Sequence, residues 1–217
     1  YNVDGITATS ILCPFFDAVG AKYTFYIPHR IEEGYGLNTA ALDEIAQSGA
    51  ALLITVDCGV CSSKEVDYAV HLGMDVVITD HHVPEEKLPD AASAVIHPML
   101  DDYPSPKSCG AMVAMKLAWA LCEEYRGSGL SDKQCRDLLL ISTDFASLGT
   151  VADVMPLTGE NRSLISYGLN SLRLSSLPGI RALMNAAGLS GKPLDTFDLS
   201  FRISPMLNAA GRMGHAR

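Results

Sequence analysis

The 217-residue sequence predicts an α/β protein of three layers, with a mostly parallel sheet of about five strands between helices and a helical segment at its end. Two observations predict this class. Short apolar segments rich in β-branched residues alternate with longer helical patterns, as they do in βαβ units. Acidic residues or histidines directly follow several of these segments, and open parallel sheets bind ligands at the carboxyl ends of their strands.

The patterns predict the elements of the first half of the chain in a fixed order. They are the end of a strand over residues 1–5, a helix over 6–19, a strand over 23–28, a helix over 37–48, a strand over 51–56, a helix over 62–72, and strands over 75–79 and 92–96. Pro14 is expected to kink the first helix or to delay its start.

The second half of the chain is expected to be helical. Helices are predicted over residues 110–125, 131–148, 161–172 and 177–187, with a non-helical break over 149–157. Residues 1–190 are expected to form one domain. Residues 191–217 are expected to begin the helix that links it to a C-terminal domain beyond the end of the chain.

The composition describes a globular protein with a sizeable core, since 48% of residues are hydrophobic and 19% are charged. The sequence contains no apolar run long enough for a membrane span and no secretory signal. Six cysteines in a chain of this length favour reduced thiols and a cytoplasmic location. The net charge of −9 argues against a basic face for duplex DNA, although acids that bind divalent cations would still allow a nucleic-acid enzyme.

The strongest functional pattern is the stretch of residues 76–84, in which an apolar strand ends in Asp80, His81 and His82. Asp4 and Asp57 follow other predicted strand ends, and Asp153 lies in the predicted break. A parallel sheet collects such side chains along one edge. Carboxylates with one or two imidazoles suit Mn²⁺ or Mg²⁺ better than Zn²⁺, and a carboxylate shared by two ions is the usual frame for phosphoester hydrolysis.

Two other patterns have more than one interpretation. Cys58 and Cys61 follow a strand and open a helix, which is also the position of a thioredoxin-like redox pair. Asp144 is either an acid on a helix face or a neighbour of the predicted metal site. We therefore leave Asp144 out of the predicted ligand set.

The motifs resemble those of the DHH phosphoesterases, whose name describes Asp80-His81-His82. Residues 2–5 resemble the family's first motif, 55–59 the second and 149–153 the fourth. Residues 27–30, 33–37 and 207–212 are similar to segments of the single-strand-specific 5′→3′ DNA exonucleases within the family. The resemblance covers essentially the whole chain, and the motifs are specific only when they are taken together.

The resemblance implies the roles of the metal ligands. Asp57 would bridge two ions, and Asp4, His81 and Asp153 would complete the site of the first ion. Asn2 would face the second ion. The family normally has an acid at this position, and a neutral amide compensates less of the ion's charge. We therefore expect an asymmetric site, in which the second Mn²⁺ or Mg²⁺ ion binds weakly or not at all.

The resemblance also implies the groups that contact substrate. His82 would contact or polarise the scissile phosphate, and Asp80 would orient the imidazoles. Arg30 and Arg212 would hold DNA phosphates, with Asn208 next to Arg212. The alternative is that Arg30 pairs with its neighbouring glutamates on the surface and that Arg212 is an ordinary basic residue of a C-terminal helix.

The function that follows is metal-dependent hydrolysis of single-stranded DNA in the 5′→3′ direction, in DNA repair and recombination. Single-stranded DNA is the expected partner, together with a single-strand-binding protein or a helicase, and no membrane. The family's first strand and its C-terminal domains are expected to lie outside the chain, so weak DNA affinity and low activity are expected.

Two alternative functions remain open. The first is a phosphoesterase for short oligonucleotides or cyclic dinucleotides, and the segments at 27–30 and 207–212 argue against it. The second is a binding module without catalytic activity, which Asn2 favours. The retained Asp57, His81, His82 and Asp153 argue against a module of this kind, because gathering like charges is costly.

Overall fold

The structure is a computed structural model that describes residues 2–29 and 33–213, with side chains as far as Gly211. Its strands are β1 (Leu52–Val56), β2 (Asp75–Thr79) and β3 (Ala94–Ile96). Its helices are α1 (Val3–Ala18), α2 (Thr39–Gln47), α3 (Ser63–His71), α4 (Gly110–Tyr125), α5 (Asp132–Ala152), α6 (Gly159–Leu174), α7 (Pro178–Ala186), α8 (Thr196–Asp198), a π-helical turn (Leu199–Ile203) and α9 (Ser204–Met213).

The sheet has the order β1–β2–β3, and both pairs of strands are parallel. Leu52 lies opposite Asp75, and Val77 lies opposite Ala94. The predicted α/β class with a parallel sheet is confirmed, with three strands in the described ranges where about five were expected. Because all three strands run in the same direction, their carboxyl ends meet at one edge.

Helices cover both faces of this sheet and give the three layers. Val76 and Ile78 of β2 pack with α2 and α3 in one core cluster. Ile54 and Val56 of β1 pack instead against a second cluster, built mainly from α1, α4 and α5. Successive side chains of a strand point to opposite faces, so alternation along the short strands supplies both cores.

The later helices enclose a core of their own. Residues such as Leu148, Ile165, Ile180 and Leu199 bury their side chains between α5, α6, α7 and the π-helical turn. α5 also packs against α1 and α4, so it connects this helical part to the layers around the sheet. Within the described ranges, no helix combines the length and the apolarity that crossing a membrane requires.

The first helix runs through Pro14 from Val3 to Ala18, so the late start expected at this proline is wrong. Asn2 caps it, since the side-chain oxygen of Asn2 accepts a hydrogen bond from the Gly5 amide, and α1 then runs from Val3. A proline inside a helix costs about 3 kcal/mol. The buried Ile11 and Phe15 on either side of Pro14 show that this segment is packed into the core, which offsets that cost.

Two predicted strand segments are not strands. Residues 2–5 are the cap and first turn of α1, and residue 1 lies outside the described residues. Residues 23–28 have the alternating, aromatic composition of a strand, but the structure assigns them no strand. They line a cavity of about 850 Å³ together with α1, α2 and β1. Strand propensity alone does not form a ladder without a neighbouring backbone to bond.

The predicted break over residues 149–157 begins later than expected, because α5 continues as far as Ala152. Gly149 lies where three elements meet. A Cβ atom at this position would be 2.6 Å from Ala111 Cβ and 2.6 Å from Asp4 Oδ1. Gly149 therefore permits a close approach of α5 to α1 and α4, and that packing outweighs the low helix propensity of glycine.

Buried Asn161 connects the loop before α4 to the loop after α5 through hydrogen bonds. Its Nδ2 donates hydrogen bonds to the carbonyl oxygens of Lys107 and Pro156, at 2.7 and 3.0 Å. The first loop leads into α4, and the second follows the end of α5. Asn161 therefore helps to fix the two helix ends that border the carboxyl edge of the sheet.

Candidate metal centre

Polar side chains gather at the carboxyl edge of the sheet, as the sequence predicts. Asp57 directly follows β1, Asp80 and the two histidines follow β2, and His97 follows β3. Asp57 and Asp80 are only 3% and 2% exposed. These acids are therefore largely shielded from water, and their charge must be balanced inside the protein.

His81 lies at the centre of three carboxylates. Its Nε2 atom is 3.1 Å from Asp57 Oδ1, 3.5 Å from Asp4 Oδ2 and 3.7 Å from Asp153 Oδ2. Asp4, His81 and Asp153 have ligand atoms within 4.8 Å of one another, and so do Asp57, His81 and His82. The structure thus brings together the four side chains predicted for the first ion.

Asp4 is held by the N-terminus of α4. Its two carboxylate oxygens accept hydrogen bonds from the Gly110 and Ala111 amides, at 2.7 and 2.8 Å. The positive end of the helix dipole favours a carboxylate at this position. Burial and the neighbouring Asp57 nevertheless raise the pKa of Asp4 to about 7. The described protein groups therefore supply too little positive charge to balance the Asp4 carboxylate.

Asp57 has a backbone conformation that few residues adopt, with φ at 59°. Aspartate tolerates this left-handed region better than most side chains, and such residues are common at functional sites. The Tyr35 hydroxyl donates a hydrogen bond of 2.7 Å to the Asp57 carbonyl oxygen. This bond helps to hold the turn that directs the Asp57 carboxylate toward His81.

Asp80 accepts hydrogen bonds from both histidine residues of the site. Its Oδ1 accepts hydrogen bonds from the His81 amide at 2.7 Å and from His82 Nδ1 at 2.7 Å, and its Oδ2 accepts one from the Val60 amide at 2.9 Å. Burial by itself would raise the pKa of Asp80, but these bonds lower it to about 2. Asp80 is therefore a satisfied anion that fixes the orientation of the His82 ring.

The two histidines differ in access to solvent. The side chain of His82 is 41% exposed, whereas that of His81 is 7% exposed. The bond to Asp80 raises the pKa of His82, and its Nε2 lies 3.0 Å from the Tyr35 hydroxyl. The hydroxyl already donates to Asp57, so a protonated Nε2 would donate to Tyr35. His82 is thus a half-exposed imidazole, favoured in its protonated form by Asp80, beside a buried cluster of acids.

Asp153 is the C-cap of α5 and the last of the three carboxylates around His81. The negative end of a helix dipole disfavours a carboxylate and favours a cation. Burial raises the pKa of Asp153, His81 lowers it, and Asp57 raises it again. The next residue, Val154, has φ at 57° and ends the helix abruptly. This position is costly for an acid unless a positive charge lies next to it.

This donor set fits a hard divalent cation. It consists of carboxylate oxygens and one imidazole nitrogen, the combination that suits Mn²⁺ or Mg²⁺. Each Asp4 oxygen accepts one backbone hydrogen bond and keeps a second lone pair. The raised pKa values of Asp4 and Asp153 are those expected for acids gathered without sufficient positive charge.

The remaining predicted residues have a less direct relation to the cluster. Asn2 caps α1, and a Cβ on Gly5 would lie 3.1 Å from Asn2 Oδ1 and 3.4 Å from Asp57 Oδ2, so Asn2 borders the cluster. Asn208 lies in α9 with a buried Oδ1 that has no hydrogen-bond partner in the described part of the chain. Arg30 and the side chain of Arg212 lie outside the described residues.

Sequence reasoning missed three contributors to the site. Tyr35 contacts both Asp57 and His82. His97 accepts a hydrogen bond from Met99 at Nδ1, so its Nε2 carries the proton and donates to the His82 carbonyl oxygen at 2.7 Å. The amides at the start of α4 hold Asp4. The position of His97 after β3 was a usable signal, whereas the other two contacts depend on the tertiary fold.

The structure disfavours the redox interpretation of the Cys58–Cys61 loop. Burial, together with Asp80 and Asp57, raises the pKa of Cys58 to about 12. A reactive redox cysteine requires a lowered pKa, because the thiolate is the nucleophile. Cys61 is exposed and donates a weak hydrogen bond to the Val83 carbonyl oxygen. The loop instead places Asp57 and the Val60 amide at the site.

The chain belongs to the DHH family, because the model described as "DHH family, N-terminal domain" matches residues 1–143. Three curated relatives are named single-stranded-DNA-specific exonuclease RecJ. The chain is 41% identical to the protein from Dickeya dadantii, 40% to that from Thermus thermophilus and 38% to that from Bacillus subtilis. The matches cover 98%, 100% and 100% of the chain, but only 38%, 30% and 26% of those proteins.

Solved structures give the same result. The chain resembles the crystal structure of exonuclease RecJ bound to manganese with a TM-score of 0.86 at 39% identity, covering 100% of this chain and 52% of that one. It resembles RecJ from Thermus thermophilus in complex with Mn²⁺ with a TM-score of 0.79 at 36% identity, covering 99% of this chain and 29% of that one. The fold is therefore that of the corresponding part of these exonucleases.

Replacing Gly110 with alanine tests the close contact between α4 and Asp57, a predicted metal ligand. A Cβ at Gly110 would lie 2.6 Å from Asp57 Cβ and 2.8 Å from Asp57 Oδ1, so the turn after β1 must move. We expect Gly110→Ala to lower the free energy of unfolding by about 2 kcal/mol, as overpacking does, and to weaken Mn²⁺ binding at least about tenfold. Urea denaturation and calorimetry measure the two effects.

Gly179→Ala is the matched control for this substitution. A Cβ at Gly179 in α7 meets nothing within 4 Å. This variant should leave Mn²⁺ binding unchanged and stabilise the protein by up to about 1 kcal/mol, because alanine favours a helix more than glycine does. Wild-type stability and Mn²⁺ affinity in Gly110→Ala would contradict the proposed packing of the site.

Tyr35→Phe tests the hydroxyl that spans Asp57 and His82. Removing it leaves the Asp57 carbonyl oxygen without this donor, so the free energy of unfolding should fall by about 1 kcal/mol. Tyr167→Phe is the control, because Tyr167 is exposed to a similar degree as Tyr35, 53% against 61%, and the structure describes no hydrogen bond from its hydroxyl. Equal denaturation midpoints for the two variants would show that the Tyr35 contact is not stabilising.

Proposed function

We propose that this chain is the catalytic part of a metal-dependent exonuclease that degrades single-stranded DNA from the 5′ end. The observation that carries the proposal is the gathering of Asp4, Asp57, His81 and Asp153 at the sheet edge. Its relatives with this fold are RecJ exonucleases, two of them described with manganese. The chain spans well under half of each curated relative, so the activity of the whole protein is inferred from them.

The first role is to hold the metal. Asp4, Asp57, His81 and Asp153 would hold Mn²⁺ or Mg²⁺, and Asp57 would be the ligand shared with a second ion. A divalent cation supplies polarisation of the phosphoryl group and a lower pKa for water. Burial of Asp4 and Asp57 removes competing water from the ligands, and the N-terminus of α4 keeps Asp4 in a single orientation.

The second role is to stabilise the charge that develops on the phosphate. His82 is the accessible imidazole, and Asp80 raises its pKa so that it can carry a positive charge. Asp80 and Tyr35 hold its two ring nitrogens, at 2.7 and 3.0 Å. An imidazolium oriented in this way would place positive charge beside the phosphate without turning its ring. To donate directly to a phosphate oxygen, its Nε2–H would exchange the Tyr35 hydroxyl for that oxygen.

The third role is to bind the DNA backbone. We assign Arg30 and Arg212 to phosphate contacts, since a guanidinium forms paired hydrogen bonds with phosphate oxygens. Asn208 lies in the same helix as Arg212, and its side-chain NH2 group would donate to a phosphate oxygen. Single-strand-binding proteins or helicases would bring the substrate in a cytoplasmic repair or recombination setting. Residues 191–217 would connect this catalytic domain, residues 1–190, to a further one.

The site is proposed to be asymmetric. Asn2 Oδ1 and Asp57 Oδ2 both border Gly5, whereas His81 contacts Asp57 Oδ1, and the amide oxygen of Asn2 is already the cap of α1. A neutral amide oxygen attracts a cation less strongly than a charged carboxylate oxygen does. The ion held by Asp4, Asp57, His81 and Asp153 should therefore bind more tightly than an ion between Asp57 and Asn2.

A degradation assay with Mn²⁺ tests the function. The substrates are 5′- and 3′-labelled single strands, from dinucleotides to long oligonucleotides, and the corresponding duplexes. We expect slow release of short products from the 5′ end of the longer single strands and little cleavage of the duplexes. Asp57→Asn should lower the rate at least about 100-fold, because it removes charge from the shared ligand.

Asp67→Asn is the control for this loss of charge. Asp67 is an exposed acid of α3 with no hydrogen bond or ion pair in the described part of the structure, so its variant should keep the wild-type rate. A preference for dinucleotides or cyclic dinucleotides would overturn the proposal in favour of a small-substrate phosphoesterase. Binding of single strands without metal-dependent cleavage would favour a binding module.

A further inference from the structure

A second buried acid lies in a pocket between α5 and α6, where no part of the proposed mechanism uses it. The pocket has a volume of about 320 Å³. Asp144 of α5 lines it together with Ser171 of α6 and Ser175, which follows α6. Asp144 belongs to neither group of metal-capable side chains in the described part of the chain. The pocket is therefore a separate feature.

Asp144 lacks a full set of partners. The residue is 4% exposed, and its Oδ1 is buried with no hydrogen-bond partner among the described residues. Burial raises the pKa of the Asp144 carboxyl, and the hydroxyls of Ser171 and Ser175 only partly oppose this effect. A buried carboxylate with an unpaired oxygen costs free energy, and such groups commonly serve a purpose other than stability.

The surroundings of Asp144 favour a positive charge. The last turn of α6 ends at this pocket, and the carbonyl groups at the end of a helix attract cations. The basic residue of that turn, Arg173, donates a hydrogen bond to Asn170 Oδ1 at 2.9 Å and is not among the lining residues. No described ion pair involves Asp144. The pocket thus has acceptors for a cation that the described residues do not supply.

The size and the rim of the pocket indicate what kind of cation fits. A single water occupies about 30 Å³ of liquid, so the cavity is much larger than one small ion needs. Leu140, Tyr167 and Leu174 form an apolar rim, and they are 39%, 53% and 67% exposed. An apolar rim above a buried acid suits a hydrocarbon stem with a cationic end, and the Tyr167 ring adds a face for a cation.

We propose that this pocket is a docking site for a basic side chain, a lysine or an arginine, presented by a partner polypeptide. The charged end would pair with Asp144 and the hydroxyls of Ser171 and Ser175, and the stem would pack against the rim. The net charge of −9 supports the approach of a basic segment. This assignment does not depend on the proposed nuclease activity.

The test uses the ¹⁵N-labelled chain and three blocked tripeptides, Gly-Arg-Gly, Gly-Lys-Gly and Gly-citrulline-Gly, in NMR titrations. We expect at least one basic peptide to shift the amide signals of Asp144, Ser171 and Ser175, and the neutral citrulline peptide to leave them unchanged. Asp144→Asn should weaken binding of the basic peptide about 10- to 100-fold, which is the range for losing a hydrogen bond to a charged group.

Three further measurements separate docking from a general charge effect and from a loss of folding. Asp137→Asn removes a more exposed acid of the same helix and should leave peptide binding unchanged. Asp144→Asn should melt at the wild-type temperature or above it, because it removes an unpaired buried charge. Tyr167→Ala alters only the exposed rim and should weaken binding of the basic peptide several-fold. This variant keeps the test valid if Asp144→Asn does not fold.

Four results would overturn the proposal. The first is the absence of any shift at the pocket with either basic peptide. The second is equal loss of binding in Asp137→Asn, which would indicate general attraction to an acidic protein. The third is the same pocket shifts with NaCl or KCl alone, which would indicate a site for a small ion. The fourth is strong destabilisation by Asp144→Asn without peptide binding, which would make Asp144 a structural acid.

Discussion

The site depends on the hydrogen bonds that the Asp4 carboxylate accepts from the N-terminus of α4. These bonds fix α1 against α4, and the two helices cover the sheet face to which Val56, the residue before Asp57, contributes. The helix dipole offsets part of the cost of burying Asp4. α5 packs against both helices, and Gly149 allows it to approach closely. Asp153, at the end of α5, reaches the cluster because of this packing.

Two buried aspartates show the difference between a structural acid and a proposed metal ligand. Asp80 receives hydrogen bonds on both oxygens and has a pKa of about 2. Asp4 also receives two backbone bonds, but it lies beside Asp57, and its pKa is raised to about 7. The protein therefore satisfies Asp80 completely and leaves Asp4 dependent on additional positive charge. A divalent cation is the simplest source of that charge, which agrees with the manganese-bound relatives.

The sequence predicted the parts of the site that depend on local pattern. Asp57 and Asp80 follow apolar strands, and a parallel sheet brings such positions together. Contacts that arise only from packing were not predictable. Tyr35 reaches Asp57 across 22 residues of sequence, and α5 continues through Gly149 because neighbouring helices need a close approach. Residues 23–28 have strand composition, but their state depends on a pairing partner that propensity does not specify.

Anomalous scattering from crystals of the chain grown with Mn²⁺, recorded at the manganese absorption edge, tests the central claim most directly. The account predicts that the strongest peak lies among His81 Nε2 and the carboxylates of Asp4, Asp57 and Asp153, with a weaker second peak or none between Asp57 and Asn2. A crystal at saturating Mn²⁺ with no peak in this cluster, or with its strongest peak elsewhere, would show that the cluster is not a metal centre.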